Sequence, residues 1–171
     1  MSSFASFYRR LRTPSFIAIG LFSSLLVLAQ VNLKYRLLTG YTLSADATVT
    51  KGKPTLFVFE QAETFNQVFQ PASSGSVRKR DAPNFDKEMA IGIALPSTKT
   101  PPKLSISKVF VQDSTLTVRY IRVADTIVAK SPLSEAIHPM LLVMIPQQTV
   151  LKTKLVENGK VVQTIKKRDD Q

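Results

Sequence analysis

Residues 89–95 alternate large and small side chains with a period of two. The large positions are Met89, Ile91, Ile93 and Leu95, and the small ones are Ala90, Gly92 and Ala94. In a β-strand this alternation puts all the large side chains on one face and leaves the other face nearly bare. A bare face allows close approach of another element, and we expect the helix predicted at residues 61–70 to pack there. That helix is indicated by apolar residues spaced for one helical face, and Pro71 ends it.

Six further short strands are predicted from apolar runs and alternation, at 56–59, 103–113, 115–124, 140–145, 149–156 and 160–167. Asn158-Gly159 is typical of a tight hairpin turn, and a slip in alternation predicts a bulge near Ser107-Lys108. A further short strand is expected around 47–51. The pattern therefore predicts a mainly β (α+β) fold, a largely antiparallel sheet or sandwich of about seven short strands with one short helix.

An uncharged, mostly apolar segment of 21 residues runs from Thr13 to Leu33, behind Arg9, Arg10 and Arg12. This order favours a secretory signal peptide, with a cleavage point after Ala29. The segment is also long enough to cross a bilayer as a retained anchor, and a buried core helix is the third alternative. The first two place the rest of the chain outside the cytoplasm, either periplasmic or secreted, or as a single-pass inner or plasma membrane protein with its domain outside.

The chain contains no cysteine and one histidine, which excludes disulfides, thiolate zinc sites and cysteine nucleophiles. It has no glycine-rich phosphate loop, and its one local acidic group, Asp81, Asp86 and Glu88, lacks the register of a calcium loop. We therefore predict no catalytic residue, no metal and no cofactor. His138 is expected to hydrogen-bond loop backbone. A cryptic hydrolase using His138 with Glu135 or Asp125 is the less favoured alternative.

Lys and Arg number 23 against 12 Asp and Glu, for a formal net charge of +11. Without residues 1–29 the remaining chain carries 20 − 12 = +8. This charge favours acidic partners or an anionic membrane surface, and a soluble surface with surplus lysine explains it equally well. Nucleic acid is not expected as a partner, because the phenylalanines fall in apolar runs rather than among the basic residues.

Residues 55–146 carry a series of motifs in a particular order. They are Glu63-Thr64-Phe65, Asn84-Phe85-Asp86-Lys87-Glu88-Met89-Ala90-Ile91, the strand pair at 103–106 and 115–118, and His138-Pro139 followed by the apolar run 140–146. This order resembles the C-terminal domain family of the protease complex subunit PrcB. The family usually has a Gly-Gly-Tyr turn before the strand pair, whereas residues 97–103 lack both glycines and the tyrosine. The resemblance implies an exported, non-catalytic domain that binds or stabilises a protease or another envelope protein.

The chain is accordingly divided into a signal peptide or anchor at 1–29, an approach segment at 30–53, a PrcB-like β domain at 54–146, and a hairpin with a polar tail at 147–171. Partner contacts are expected from loops 71–87, 96–103 and 125–139, if these gather at one end of the sheet. The predicted contact residues are Arg78, Lys79, Arg80, Thr100, Pro101 and Pro102. The alternative is a membrane-anchored structural envelope protein whose basic domain faces anionic lipid. The oligomeric state is left open.

Overall fold

The computed structural model describes residues 30–72 and 82–167, which form eleven strands and two short helices. The predicted mainly β fold with antiparallel sheets is confirmed. The predicted signal or membrane helix at 1–29 lies outside the described residues. Within the described ranges, no helix is both long and apolar enough to cross a bilayer.

Two sheets form the body of the fold. The five-stranded sheet has the order β1-β7-β8-β10-β11, with β1 (Val31–Asn32), β7 (Lys103–Gln112), β8 (Thr115–Val123), β10 (Lys152–Glu157) and β11 (Lys160–Lys166). The four-stranded sheet has the order β2-β9-β6-β4, with β2 (Arg36–Leu37), β9 (Met140–Pro146), β6 (Glu88–Ala94) and β4 (Thr55–Phe59).

A third, smaller layer contains the remaining pair of strands, β3 (Tyr41–Leu43) and β5 (Phe69–Pro71), with the helix α1 (Ala62–Val68). A second helix, α2 (Thr126–Lys130), follows β8. All seven predicted strands are present, but β1, β2, β3 and β5 were not predicted, nor was α2. The prediction of a strand around 47–51 is wrong, since those residues form no strand. Strands of two or three residues are too short for a period-two pattern to reveal them.

The tight connections follow from backbone preferences visible in the sequence. Asp113 and Ser114 have φ values of 49° and 54° in the β7–β8 turn, and Asn158 and Gly159 have 47° and 87° in the β10–β11 turn. Both match the primed turns that suit hairpins. The register of β7 against β8 shifts between Ile106 and Lys108, which confirms the predicted bulge.

One strand pair departs from the antiparallel pattern, because β10 runs parallel to β8. The Asn158 side chain extends this pairing beyond the end of β10. Its Oδ1 accepts from the Arg122 amide and its Nδ2 donates to the Arg122 carbonyl, each at 3.0 Å.

The main hydrophobic core lies between the two large sheets. The large side chains of β6 and the residue after it are at most 1% exposed. They pack with Leu116, Val118 and Tyr120 of β8 and with Leu155 of β10. The prediction that β6 points all its large residues one way is therefore confirmed.

The bare face of β6 supports a second core, in which Ala90 packs with Phe59, Phe65 and Phe69. The rings of Phe59, Phe65 and Phe69 lie 5.5–5.8 Å apart. A Cβ added to Gly92 would lie 2.7 Å from Cε2 of Phe69, which is closer than side-chain atoms tolerate. The expected packing of the 61–70 helix on this face is confirmed in part: Phe65 of α1 belongs to this core, but the contact with Gly92 is made by Phe69, the first residue of β5.

The two large sheets are connected at both of their lateral edges. Residues 31–37 pass from the edge of the five-stranded sheet to the edge of the four-stranded sheet as β1 and β2. On the opposite side, the Gln163 side chain of β11 accepts from the Leu56 amide of β4 at 2.7 Å. This bond satisfies an edge amide of a strand that contributes Leu56 to one core and Phe59 to the other.

Arg36 of β2 and Glu88 of β6 form an ion pair across the end of β9, the strand that lies between them. Arg36 Nε donates to Oε1 of Glu88 at 3.0 Å and Nη2 donates to Oε2 at 2.7 Å. The hydrogen bond from Arg36 is the main reason that the pKa of Glu88 is lowered. Pro146 lies opposite Glu88 and has no amide proton to donate to β6. The ion pair therefore stabilises this end of the β6–β9 pairing, where a backbone hydrogen bond is missing.

We predict that Gly92→Ala lowers the free energy of unfolding by about 1–3 kcal/mol, because the new methyl group overpacks against Phe69. Chemical denaturation measures the effect. In a Phe69→Leu background, which removes the contacting ring atoms, the same change should cost much less. An equal cost in both backgrounds would contradict the proposed contact.

We predict that Glu88→Gln lowers the free energy of unfolding by about 1 kcal/mol near neutral pH, as expected for a half-exposed bidentate pair. Because the folded-state pKa of Glu88 is lowered, its contribution is present above the unfolded-state pKa and is lost as the pH falls through the folded-state value. The two stabilities should therefore converge in acid. Glu63→Gln, at an exposed site on α1, is the matched control and should show no such convergence.

Candidate functional site

The aligned strands give the sandwich two distinct ends. The turn end carries the β7–β8 turn, residues 82–87 and residues 146–151, since Gln147 bonds Lys87 and Leu151 bonds Ser114. The loop end carries segments 96–103 and 124–139, which leave or enter β6, β7, β8 and β9. The ten residues of β7 separate the ends by about 30 Å.

The two segments of the loop end are tied together by backbone hydrogen bonds. Thr98 and Ile137 exchange two bonds, of 2.9 and 3.0 Å, and the Leu133 amide donates to the Lys99 carbonyl at 2.9 Å. Lys103 pairs with Asp125 at 3.5 Å. These contacts make one continuous surface from two loops that are distant in sequence.

Helix α2 is held on this surface by its N-cap. Asp125 Oδ1 accepts from the amides of Ile127 at 3.0 Å and Val128 at 3.4 Å. The bond from Ile127 is the largest of the effects that lower the pKa of Asp125. The cap fixes the short helix so that Ile127 points away from the body of the protein, with 73% of its surface exposed.

Exposed apolar side chains concentrate at this end. Of the ten large exposed hydrophobic residues in the described part of the chain, five lie between residues 121 and 137, namely Ile121, Val123, Ile127, Leu133 and Ile137. We call these five residues the apolar patch. Isolated exposed hydrophobic residues are ordinary, but a group of them at one end of a fold is typical of a contact surface.

The predicted contact residues fall partly on this surface. Thr100 is exposed and Pro101 and Pro102 are half-buried within segment 96–103, where the Thr100 amide donates to Oγ1 of Thr98 at 3.1 Å. Arg78, Lys79 and Arg80 lie outside the described residues. The partner-binding role of all six residues stays a prediction.

The three predicted contact loops do not all meet. Segments 96–103 and 125–139 do adjoin, but residues 82–87 lie at the turn end, before the first residue of β6. The expectation of a single loop cluster is therefore corrected for this part of loop 71–87. The reason is that one strand joins loops 71–87 and 96–103, and a seven-residue strand holds its two ends about 20 Å apart.

His138 makes the predicted backbone contact. Its Nδ1 donates to the Leu95 carbonyl at 2.9 Å, which helps to place the start of β9 beside the end of β6. Asp125, one of its two suggested acidic partners, is engaged by α2 and Lys103.

A second polar cluster lies where β8 meets β10. The buried Tyr120 donates its hydroxyl proton to Oε2 of Glu157, and Arg122 lies 3.6 Å from Oε1. Burial, reinforced by Glu157, raises the pKa of Tyr120. The phenol therefore keeps its proton at neutral pH, which suits a structural bond between the strands better than a nucleophile or base.

A shallow cleft of about 600 Å³ lies between residues 44–48 and the α1–β5 layer. Its lining includes one ionisable side chain, Asp46, together with Phe57 and Gln70. Across the described ranges, no group of three or more His, Cys, Asp or Glu side chains could hold a metal ion.

The apolar patch was missed by sequence reasoning because residues 125–139 were interpreted as an irregular loop. A signal was present in Asp125, a favoured N-cap residue directly before Thr126 and Ile127. A five-residue helix gives too little periodicity to support that signal. The alternation of β8 does place Ile121 opposite Leu116, Val118 and Tyr120 on a half-solvated face, and Ile121 is exposed there.

Comparison with known proteins identifies no relative. No protein-family model, no curated protein and no solved structure matches this chain. The resemblance of residues 55–146 to the PrcB C-terminal domain family stays a prediction from the sequence.

We predict that Asp125→Ala speeds hydrogen exchange at the Ile127 and Val128 amides, because these donors lose their acceptor. Asp125→Asn keeps an acceptor oxygen and should retain most of the protection. The folded-state pKa of Asp125 is lowered, so in the wild type protection should decline only as the pH falls through that value. Unchanged exchange in the alanine variant would mean that α2 does not depend on its cap.

Proposed function

We propose that this chain is an exported, non-catalytic domain that binds and stabilises another protein of the cell envelope. The observation that carries the proposal is the apolar patch at the loop end. Its five side chains present aliphatic surface beside a segment that is stiffened by Pro101 and Pro102.

The loop end has the properties of a preformed binding surface. Its segments are joined to each other by hydrogen bonds and an ion pair, so little conformational entropy is lost when a partner docks. The apolar centre would exclude water, while Lys99, Lys103 and Lys130 supply a polar rim. We expect a partner with an apolar patch bordered by acidic residues. The resemblance to PrcB makes an exported protease the first partner class to test.

Site-specific photo-crosslinking in the producing cell tests the proposal. A photoreactive residue in place of Ile137 should give one heteromeric adduct, whose partner is identified by mass spectrometry. The matched control is Val161, which is 61% exposed on β11 but lies outside the apolar patch. Equal adducts at both positions, or an adduct with a second copy of this chain, would contradict the proposal.

We predict that Ile127→Glu weakens binding to the identified partner about tenfold or more, because the most exposed side chain of the apolar patch is replaced by a charge. Val161→Glu should leave the dissociation constant within about twofold. Isothermal titration measures both. Since Ile127 is exposed, the denaturation midpoint of the Ile127→Glu variant should stay close to that of the wild type.

A further inference from the structure

The outer face of the five-stranded sheet gathers basic side chains from four strands. In β8 and β10 the residues that alternate with the buried positions point outward, which places Arg119, Lys152 and Lys154 on this face. Cross-strand pairing adds Lys108, opposite Arg119, and Lys166, opposite Lys152. We call these five residues the basic face.

The basic face is compact. Lys152 lies opposite Thr115, and Arg119 is four residues further along β8, so the cations span about 13 Å along the strands. From β7 to β11 the face is three strand spacings wide, about 15 Å. Five positive charges therefore lie within an area that a few lipid headgroups would cover.

No ion pair among the described residues involves any member of the basic face. The outward positions of the paired strands carry no carboxylate, and Asp113 lies beyond them in the β7–β8 turn. Glu157 is directed to Tyr120 and Arg122 instead. The positive charge of this face is therefore not neutralised within the described part of the fold.

Two cross-strand pairs on the face join like charges, Lys108 with Arg119 and Lys152 with Lys166. Like charges directly opposite one another destabilise a sheet. The core between the sheets does not require these residues, because their side chains point away from it. Lys108 and Arg119 each contact the Phe110 ring, which offsets part of their repulsion, whereas the described residues provide no such contact for Lys152 and Lys166. Such a repulsive arrangement is explained if an external anion relieves it.

The arrangement favours a flat anionic surface over nucleic acid. Phe110, the aromatic residue at the centre of the face, is only 6% exposed and is covered by Lys108 and Arg119, at 5.4 and 5.2 Å from its ring centroid. It offers no exposed ring for base stacking. The cations instead lie over a continuous sheet, which suits a planar array of phosphates.

The position of β1, the first strand of the fold, supports a membrane as the anionic surface. Val31, in the edge strand β1, lies opposite Val111, one residue from the end of β7 at the turn end. The uncharged apolar stretch of the sequence runs directly into this strand. Lys152 and Lys166 lie at the same end, and Leu151 beside them is 58% exposed.

We propose that the basic face binds the anionic phospholipid headgroups of a bilayer. The proposal does not depend on the partner at the loop end. A bilayer that receives the apolar segment would meet the turn end, while Ile127, Leu133 and Ile137 of the apolar patch would lie about 30 Å away at the loop end. Ile121 and Val123 follow Arg119 on the outer face of β8 and border the basic face.

The test uses the full chain and vesicles of phosphatidylcholine, with and without phosphatidylglycerol. The apolar N-terminal segment contributes to binding in both cases, so the ratio of the two partition coefficients reports on the basic face. Each lysine near an anionic surface contributes about fivefold to partitioning at low salt. The double variant Lys108→Glu with Lys166→Glu removes two such lysines and adds two negative charges, so it should reduce the ratio by more than about 25-fold, the product of two fivefold factors.

The same double variant provides its own control for folding. Each substitution converts a repulsive cross-strand pair into an attractive one, which offsets the lost contact of Lys108 with Phe110, so the denaturation midpoint should not fall below that of the wild type. Weaker lipid binding together with undiminished stability cannot be attributed to misfolding. Lys51→Glu with Lys53→Glu changes the net charge equally at exposed positions away from the basic face and should leave the ratio nearly unchanged.

Amine labelling provides a second readout within one molecule. Lys152, Lys154 and Lys166 should be protected on phosphatidylglycerol vesicles relative to Lys51 and Lys99, and high salt should remove the protection. Equal labelling of all five lysines would overturn the proposal. So would a partition ratio insensitive to the double variant, or preferential binding to a soluble polyanion without preference for the anionic vesicles.

Discussion

The contact between Phe69 and the bare backbone of Gly92 allows one strand to support two cores. If β6 carried a side chain there, the aromatic layer formed by Phe59, Phe65 and Phe69 could not approach the four-stranded sheet. The opposite face of the same strand fills the sandwich with Met89, Ile91 and Ile93. A seven-residue strand thus joins three layers, and its two termini determine which loops belong to which end of the molecule.

Charge and apolar surface follow one another along the outer face of β8. Arg119 of the basic face is followed by Ile121 and Val123 of the apolar patch, whereas Ile127, Leu133 and Ile137 lie beyond the strand at the loop end. Ion pairs neutralise cations elsewhere, as in Arg36 with Glu88 and Lys103 with Asp125, whereas the basic face has no such pairing among the described residues. One small domain thus presents two adjoining surfaces of different chemistry, one apolar and one basic.

The sequence was sufficient for features that depend on neighbours along the chain. The alternation in β6, the bulge near Ser107-Lys108 and the turn at Asn158-Gly159 all follow from local chemistry, and all are present. Features that depend on which strands become neighbours could not be predicted from the sequence. The pair of Lys152 and Lys166 across β10 and β11 faces the same way as Arg119 only because β10 aligns parallel with β8, and no local pattern encodes that choice. The short strands β1 and β2 are likewise defined by the edges that they cover, not by their own composition.

The parallel alignment of β10 beside β8 also has a consequence for how the chain reaches its native state. Residues that pair there are separated by nearly forty positions, so the five-stranded sheet forms contacts of high contact order. During synthesis from the N-terminus, one edge of β8 has no hydrogen-bonding partner until the β10–β11 hairpin has left the ribosome. The last two strands to be synthesised thus complete the sheet. A nascent chain whose synthesis stalls before residue 152 would expose the unpaired edge of β8, which is prone to aggregation.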